Sequence, residues 1–207
     1  QLVGAFPKNG GLNAGQMLAA GSGLKAVLLL NTEPVFDSAA GAAAADTIGN
    51  AQMVVTLSPF KANLEFSDVL LPIAPFTETP GSFVNAEGRL QSFHAVVKPQ
   101  GEARPAWKVL RVLANLLGLQ GFAFESTADV LRTVGDNGAL PADALRNATG
   151  AAAVAANGAA APVVASIYQL DSIVRRAPSL QLTADARNAG HGIGAAPASA
   201  QAEEVSA

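Results

Sequence analysis

The chain has 207 residues, with 13 Lys and Arg against 16 Asp and Glu, and no cysteine. Its charged fraction is 14%, whereas an average soluble domain has about 25%. The basic residues are few and dispersed, which excludes the basic stripe of a nucleic-acid-binding surface. The missing thiols exclude disulfides, zinc thiolate sites and iron–sulfur ligation within these residues.

Gln1 is not a natural translation start, so we expect the chain to be a piece of a longer polypeptide. No run reaches the roughly 18 consecutive apolar residues that a membrane-spanning helix needs, and we expect no direct membrane insertion. The first seven residues lack the basic start and the apolar centre of a signal peptide, so export is not expected.

Composition divides the chain into four predicted parts. Residues 1–24 are rich in Gly and Asn and predict an irregular lead-in with a short helix near residues 16–20. Residues 25–140 predict an α/β domain, because apolar runs alternate with helical patterns. Residues 141–165 contain an uncharged, alanine-rich stretch and predict a linker. Residues 166–207 predict a carboxyl-terminal extension that ends in a disordered tail.

Three compact apolar runs predict the strands of the α/β domain. They cover residues 26–30, 53–57 and 69–71, and each is typical of a strand buried on both faces. Between the first two, Asp37 or Ser38 can cap a helix that ends near Gly49. Strand, helix and strand at this spacing form a βαβ unit, so we expect a doubly wound, mainly parallel sheet with flanking helices.

A small hairpin and two helices are predicted after the third strand. Residues 81–84 and 89–92 form the hairpin, with Gly88 in its turn. Pro105 begins a helix with one apolar face, and Gly118 ends it. A shorter helix is predicted over residues 127–133.

The usual motifs of catalysis and nucleotide binding are missing. The pair Gly21 and Gly23 precedes a strand and lacks a third glycine, whereas the dinucleotide fingerprint must follow a strand. His94 and His191 are almost a hundred residues apart, which argues against a metal cluster or a nucleophilic triad. We therefore predict no catalytic and no metal-binding residue.

Two loops are the candidate binding positions. Asn31, Thr32 and Glu33 follow the first predicted strand, and Ser58 follows the second. Because ligands of open α/β sheets bind beyond the carboxyl ends of the strands, these residues could line a site. The alternative is ordinary loop and helix capping, since Ser58 before Pro59 is a common helix start.

One stretch resembles a known family. Residues 67–72 read Ser-Asp-Val-Leu-Leu-Pro, residues 77–91 read Thr-Glu-Thr-Pro-Gly-Ser-Phe-Val-Asn-Ala-Glu-Gly-Arg-Leu-Gln, and residues 101–107 read Gly-Glu-Ala-Arg-Pro-Ala-Trp. This order resembles the molybdopterin oxidoreductase superfamily. Residues 30–34 are similar to the superfamily's Leu-Gly-Glu-Asn-Pro segment, but they lack its glycine and exchange its polar residues.

Within the superfamily, the chain is most similar to the large iron–sulfur subunits of bacterial NADH-quinone oxidoreductase, or complex I. Residues 13–15 and the run from residue 167 to residue 186 add to this resemblance. It implies a carboxyl-terminal, non-catalytic scaffold of a subunit that passes electrons from NADH through Fe–S clusters to quinone. The cluster ligands would lie in the amino-terminal part of that subunit, and no cofactor is implied for these 207 residues.

The resemblance also implies a location, partners and a remnant site. The partners would be other subunits of the peripheral arm, on the cytoplasmic side of the bacterial inner membrane. Loops that match Asn31, Thr32, Glu33 and Ser58 would approach the pterin dinucleotide in active relatives, so these residues would form a remnant site.

Two alternatives remain from other classes of protein. The first is the cofactor-binding portion of an active molybdopterin enzyme of the formate dehydrogenase or nitrate reductase type, which would need a β-barrel domain after Leu119. The second is a generic α/β ligand-binding module, which would need a glycine loop at a strand end.

Overall fold

The structure is a computed structural model that describes residues 10–19, 21–85, 89–134 and 166–189. Its contacts divide the chain into two units, Gln1–Thr149 and Gly150–Ala207. The division falls inside the predicted linker of residues 141–165, which lies outside the described residues, as do the turn residue Gly88, His191 and the predicted tail. The predicted domain boundaries therefore stay a prediction.

The first unit is built on a parallel sheet of three strands in the order β1-β2-β3. The strands are β1 (Ala26–Leu30), β2 (Met53–Ser58) and β3 (Val69–Pro72). A two-stranded antiparallel hairpin, β4 (Gly81–Val84) and β5 (Leu90–Phe93), follows. Together with the helices, these strands confirm the predicted α/β class, and β1 has the predicted bounds.

Five α-helices are described in the first unit. They are α1 (Ala14–Met17), α2 (Pro34–Asp37), α3 (Ala43–Gly49), α4 (Ala106–Leu116) and α5 (Thr127–Arg132). A 3₁₀ turn covers Phe76–Glu78. The predicted helix near residues 16–20 begins earlier, because Asn13 and Gln16 form a reciprocal capping box at the start of α1.

One cluster of core residues lies between β1, β2 and α3. Leu29 of β1 and Val54 of β2 pack with Ile48 of α3, and all three are buried. The crossover helix therefore covers the face that Leu29 and Val54 share. On the opposite face, Leu28 and Leu30 remain 47% and 44% exposed. The prediction that β1 is buried on both faces is wrong for the described residues, because no described helix covers that side of the strand.

The predicted helix from Asp37 or Ser38 to Gly49 is also wrong in its first half. Asp37 is the last residue of α2, and its carboxylate accepts a hydrogen bond from the N–H of Glu33 at 2.7 Å. Ser38 is extended, and Gly41 has φ +55°. The side chain of Asp37 was expected to begin one long helix. It instead caps the start of the short helix α2, and α3 begins only at Ala43.

Helix α4 follows the prediction closely. It begins after Pro105 and has Leu117 as its C-cap residue. Gly118 takes φ +71°, and the N–H of Leu119 bonds the carbonyl of Ala114 at 3.0 Å. This is a Schellman ending, which needs a left-handed residue that glycine adopts without strain.

The second unit is described from residue 166 onward. It contains α6 (Ile167–Leu170), a 3₁₀ turn at Val174–Arg176, α7 (Pro178–Gln181) and α8 (Ala184–Ala189). The amide of Gln181 donates to the carbonyls of Tyr168 and Val174 at 3.0 and 2.9 Å. One side chain thus ties the short helices of this unit together. Across the described ranges, no helix combines the length and the apolar character needed to cross a membrane.

The two neighbours Leu29 and Leu30 offer a matched test of the core. Leu29→Ala should lower the free energy of unfolding by about 2–5 kcal/mol, because it removes a buried side chain and leaves a cavity. Leu30→Ala should cost much less, because Leu30 is already 44% exposed. Urea unfolding followed by circular dichroism measures both variants. Equal losses would contradict the placement of Leu29 in the core and of Leu30 at the surface.

The start of α5 gives a pH test. The pKa of Asp129 lies below its usual range, chiefly because its carboxylate accepts a hydrogen bond from the N–H of Glu125, with further bonding by Ser126. Since the unfolded pKa is about 3.9, the resulting stabilisation is complete above that pH. It is lost as the pH falls through the lower folded value.

We expect the carboxyl carbon of Asp129 to titrate in NMR spectra below the same carbon in an unstructured peptide of residues 125–133. The peptide is the control, because it keeps the local sequence and loses the start of α5, where Ser126 and Asp129 form a reciprocal capping box. Identical midpoints in the two samples would contradict this role of Asp129.

Candidate functional site

The four candidate residues meet at the carboxyl ends of β1 and β2, which we call the carboxyl edge of the sheet. Leu30 of β1 lies beside Leu57 of β2, and the ladder continues one step further, where the N–H of Asn31 donates to the carbonyl of Leu57 at 2.8 Å. Asn31 therefore lies next to Ser58, the last residue of β2. Thr32 and Glu33 follow in the same loop, so the edge carries all four predicted residues.

The loop after β1 is organised around the carboxylate of Asp37. One carboxylate oxygen accepts hydrogen bonds from the N–H of Glu33 at 2.7 Å and from the hydroxyl of Thr32 at 3.2 Å. The N–H groups of Phe36 and Asp37 both donate to the carbonyl of Glu33, at 2.8 and 2.9 Å. An internal carboxylate thus occupies the donors at the start of α2.

The loop after β2 is tied to the first loop by Asn63. The side-chain amide of Asn63 donates to the carbonyl of Thr32 at 2.9 Å. Asn63 and Asn31 are the two non-glycine residues with positive φ in the described part of the chain, at 59° and 47°. Asparagine tolerates this left-handed backbone better than most residues, so the two loops turn sharply where they meet.

Ser58 accepts hydrogen bonds from the loop that follows β2 and from the residue after β3. Its hydroxyl accepts a hydrogen bond from the N–H of Phe60 at 3.1 Å, and its carbonyl accepts one from the N–H of Ile73 at 3.1 Å. No helix follows Pro59 before β3, so within the alternative of loop and helix capping, the helix start at Ser58 is wrong. The hydroxyl bond to Phe60 closes a local turn instead.

The burial and charge of the edge limit its chemistry. Glu33 and Ser58 are buried, Thr32 is half-buried and Asn31 is exposed. The two loops carry the carboxyl groups of Glu33 and Asp37, while Lys61 is the cationic residue of the second loop and is exposed. Across the described ranges, no cluster of three or more His, Cys, Asp or Glu could hold a metal ion.

The hairpin forms a second concave feature that the sequence did not predict. The rings of Phe83 and Phe93 stack with their centroids 4.9 Å apart, and Phe76 meets Phe83 edge to face at 6.4 Å. These rings border an open pocket of about 450 Å³, which His94 and Val96 also line. The sequence signal for this pocket was the presence of three phenylalanines close to one motif. That Phe76 contacts Phe83, and Phe83 contacts Phe93, becomes apparent only in the folded chain.

Gly81 explains part of the motif at the hairpin. A Cβ atom on this residue would lie 2.8 Å from the ring of Phe93. The missing side chain therefore lets the Phe93 ring lie against the opposite strand, where Phe83 stacks on it. Packing against Phe93 therefore accounts for the glycine of the family-like sequence at this position.

The sequence comparisons point to one family. The molybdopterin oxidoreductase family matches residues 2–116, which is more than half of the chain. A probable oxidoreductase, YjgC, of Bacillus subtilis is 42% identical over 67 residues, covering 32% of this chain and 7% of that protein.

Two further relatives are named for different functions. A putative formate dehydrogenase of Staphylococcus aureus is 45% identical over 53 residues, covering 26% of this chain and 5% of the relative. The mitochondrial NADH-ubiquinone oxidoreductase 78 kDa subunit of Candida albicans is 46% identical over 52 residues, covering 25% of this chain and 7% of the relative. The matched stretches are therefore short parts of much longer proteins.

The role of Asp37 at the edge can be tested by stability. Asp37→Ala should lower the free energy of unfolding by about 0.5–2 kcal/mol, because the N–H of Glu33 loses its capping acceptor. Asp46→Ala is the matched control, since Asp46 is an exposed carboxylate near the start of α3. Urea unfolding of the two variants measures the difference. A loss from Asp46→Ala as large as that from Asp37→Ala would contradict the capping role.

Proposed function

Because this chain belongs to the molybdopterin oxidoreductase family, we propose that it is a scaffold part of an oxidoreductase, without a catalytic centre of its own. The parent subunit would be the large, electron-transferring subunit of a respiratory NADH-quinone oxidoreductase. That subunit passes electrons from NADH through Fe–S clusters to quinone. These 207 residues would form its carboxyl-terminal part.

The single observation that carries the scaffold proposal is the carboxylate of Asp37. A pterin dinucleotide contains a pyrophosphate, which needs N–H and O–H donors or cations. At this edge the N–H of Glu33 and the hydroxyl of Thr32 already donate to Asp37. The buried carboxyl group of Glu33 lies in the same loop. The residues present therefore fit an anionic cofactor poorly.

The sequence supports the electron-transfer assignment indirectly. A relative that is 46% identical over 52 residues is the 78 kDa subunit of a mitochondrial NADH-ubiquinone oxidoreductase. The 207 residues contain no cysteine, so thiolate ligands for Fe–S clusters would come from other parts of the subunit. Within this proposal, Asn31, Thr32, Glu33 and Ser58 are a remnant site with a structural role.

Partners and location follow from the same assignment. We propose that the chain contacts other subunits of the peripheral arm, on the cytoplasmic side of the bacterial inner membrane. Exposed apolar side chains support such contacts, because removing apolar surface from water at an interface is favourable. Val96 and Leu116, for example, are 83% and 80% exposed.

A second candidate function is favoured by the other relatives. A probable oxidoreductase and a putative formate dehydrogenase match the chain at 42% and 45% identity. The alternative is therefore the cofactor-binding portion of an active molybdopterin enzyme. In that case the hydroxyl of Thr32 and the N–H of Glu33 would donate to the cofactor in place of the Asp37 carboxylate. Asn31 and Ser58 would lie beside the cofactor.

One preparation distinguishes the two functions. We expect the intact protein, purified from its source cells, to contain molybdenum and pterin well below one equivalent and to co-purify with NADH-oxidising and quinone-reducing activities. A formate dehydrogenase purified by the same procedure controls for loss of cofactor. Stoichiometric molybdenum would overturn the scaffold proposal. A molybdenum-free protein that lacks those two activities would overturn the assignment to NADH-quinone oxidoreductase.

A further inference from the structure

The hairpin of β4 and β5 gathers its aromatic side chains on one face. Its register pairs Gly81 with Phe93 and Phe83 with Gln91. Residues that lie opposite each other in an antiparallel pair share a face, and so do alternate residues of one strand. These four residues therefore lie on the same side of the hairpin, which we call the aromatic face.

The aromatic face presents a flat ring surface that packing holds in place. The rings of Phe83 and Phe93 stack with 4.9 Å between their centroids and 14° between their planes. Gly81 permits this stack, because a Cβ atom there would lie 2.8 Å from the Phe93 ring. Phe83 nevertheless stays 60% exposed. Its ring is thus fixed in orientation and still accessible to a ligand.

Two further segments turn the aromatic face into a pocket. Phe76 meets Phe83 edge to face at 6.4 Å, and Val96 also lines the pocket. The N–H groups of Val96 and Val97 both donate to the carbonyl of Thr77, at 2.8 and 3.3 Å. The segments that carry Phe76 and Val96 are therefore bonded to each other. A pocket with walls joined in this way is pre-formed, as ligand pockets usually are.

The pocket has the size of a small-molecule site. Its volume of about 450 Å³ lies within the range of roughly 300–1,000 Å³ that is usual for ligand pockets. A cavity of about 150 Å³ holds one benzene molecule. The hairpin pocket therefore has room for a flat compound of about two or three fused rings.

The lining favours an uncharged ligand with a polar edge. None of the described lining residues is Asp, Glu, Lys or Arg, and an unpaired charge is costly to bury against phenylalanine rings. Gln91, which is exposed on the aromatic face, carries both a donor and an acceptor in its side-chain amide. Such an amide pairs with a ring edge that has a donor beside an acceptor.

We propose that the aromatic face binds an uncharged, planar heteroaromatic compound of two or three fused rings. The ring plane of the compound stacks on Phe83, and its polar edge pairs with the amide of Gln91. The pocket shares no residue with the carboxyl edge of the sheet. This site therefore goes beyond the proposed scaffold function and does not depend on it.

A quaternary ammonium ion is the competing ligand, because aromatic rings also attract cations. A cation is held by ring faces that turn toward one common centre. Here the faces of Phe83 and Phe93 turn toward each other, since their planes are only 14° apart. A flat ring can continue this stack, so the geometry favours the planar ligand.

Equilibrium dialysis with lumichrome tests the site. Lumichrome is an uncharged, fluorescent compound of three fused rings, with N–H donors beside carbonyl acceptors on its edge. We expect saturable binding to the intact subunit purified from its source cells. Phe83→Leu should weaken this binding at least about fivefold, because leucine keeps an apolar side chain but removes the surface on which a ring stacks.

Phe122→Leu is the matched control for Phe83→Leu. Phe122 also belongs to a phenylalanine pair, with its centroid 6.0 Å from that of Phe124, and it does not line the pocket. Lumichrome should bind this variant as it binds the unaltered subunit. Equal weakening by Phe83→Leu and Phe122→Leu, or no saturable binding to the intact subunit, would overturn the proposal.

Gln91→Leu distinguishes edge pairing from general apolar binding. We expect this variant to weaken lumichrome binding at least about fivefold, because the paired donor and acceptor are lost. Binding of naphthalene, which has fused rings and no polar edge, should change less than about twofold. Gln91 and Phe83 are both exposed, so both variants should keep the circular dichroism spectrum of the unaltered subunit.

Two other results would contradict the planar ligand. The first is a Gln91→Leu variant that changes the binding of lumichrome and naphthalene alike. The second is tighter binding of tetramethylammonium than of lumichrome to the unaltered subunit, with Phe83→Leu abolishing it. That second result would assign the pocket to a cation.

Discussion

The parallel ladder between β1 and β2 is the interaction on which the rest of the first unit depends. Its register pairs Leu29 with Thr56 and Leu30 with Leu57, and the N–H of Asn31 extends it by one bond beyond the strand. That register places Leu29 and Val54 on the face that Ile48 covers. It also brings Asn31 beside Ser58, and among the described strands none pairs with the outer side of β1.

The same ladder also determines the arrangement of the candidate site. It brings two loops together at the edge where related folds place ligands, yet their polar groups bond one another. Asp37 holds the start of α2, and Asn63 joins the second loop to Thr32. A cofactor would have to displace these internal bonds, whereas a scaffold benefits from them because buried donors and acceptors need partners.

Helix ends were predictable from the sequence where a single residue type restricts the backbone conformation. Pro105 and Gly118 bound α4 as expected, because one fixes φ at a helix start and the other adopts the left-handed ending. The helix predicted from Asp37 failed, because the side chain could cap either of two neighbouring helices. Which N–H it met depended on the path of the chain after Asn31, where φ is positive.

By itself, the sequence determined the α/β class, the three apolar strands, the hairpin and the family-like motifs, because each depends on spacing and on residue type within a short window. Only the tertiary structure decided which face of β1 is covered, that Asp37 and Asn63 bind the candidate loops, and that Phe76, Phe83 and Phe93 share a pocket. These features join residues far apart in the chain, or depend on what covers an apolar surface. The apolar sequence of β1 is the same whether other elements cover a face of the strand or leave that face exposed.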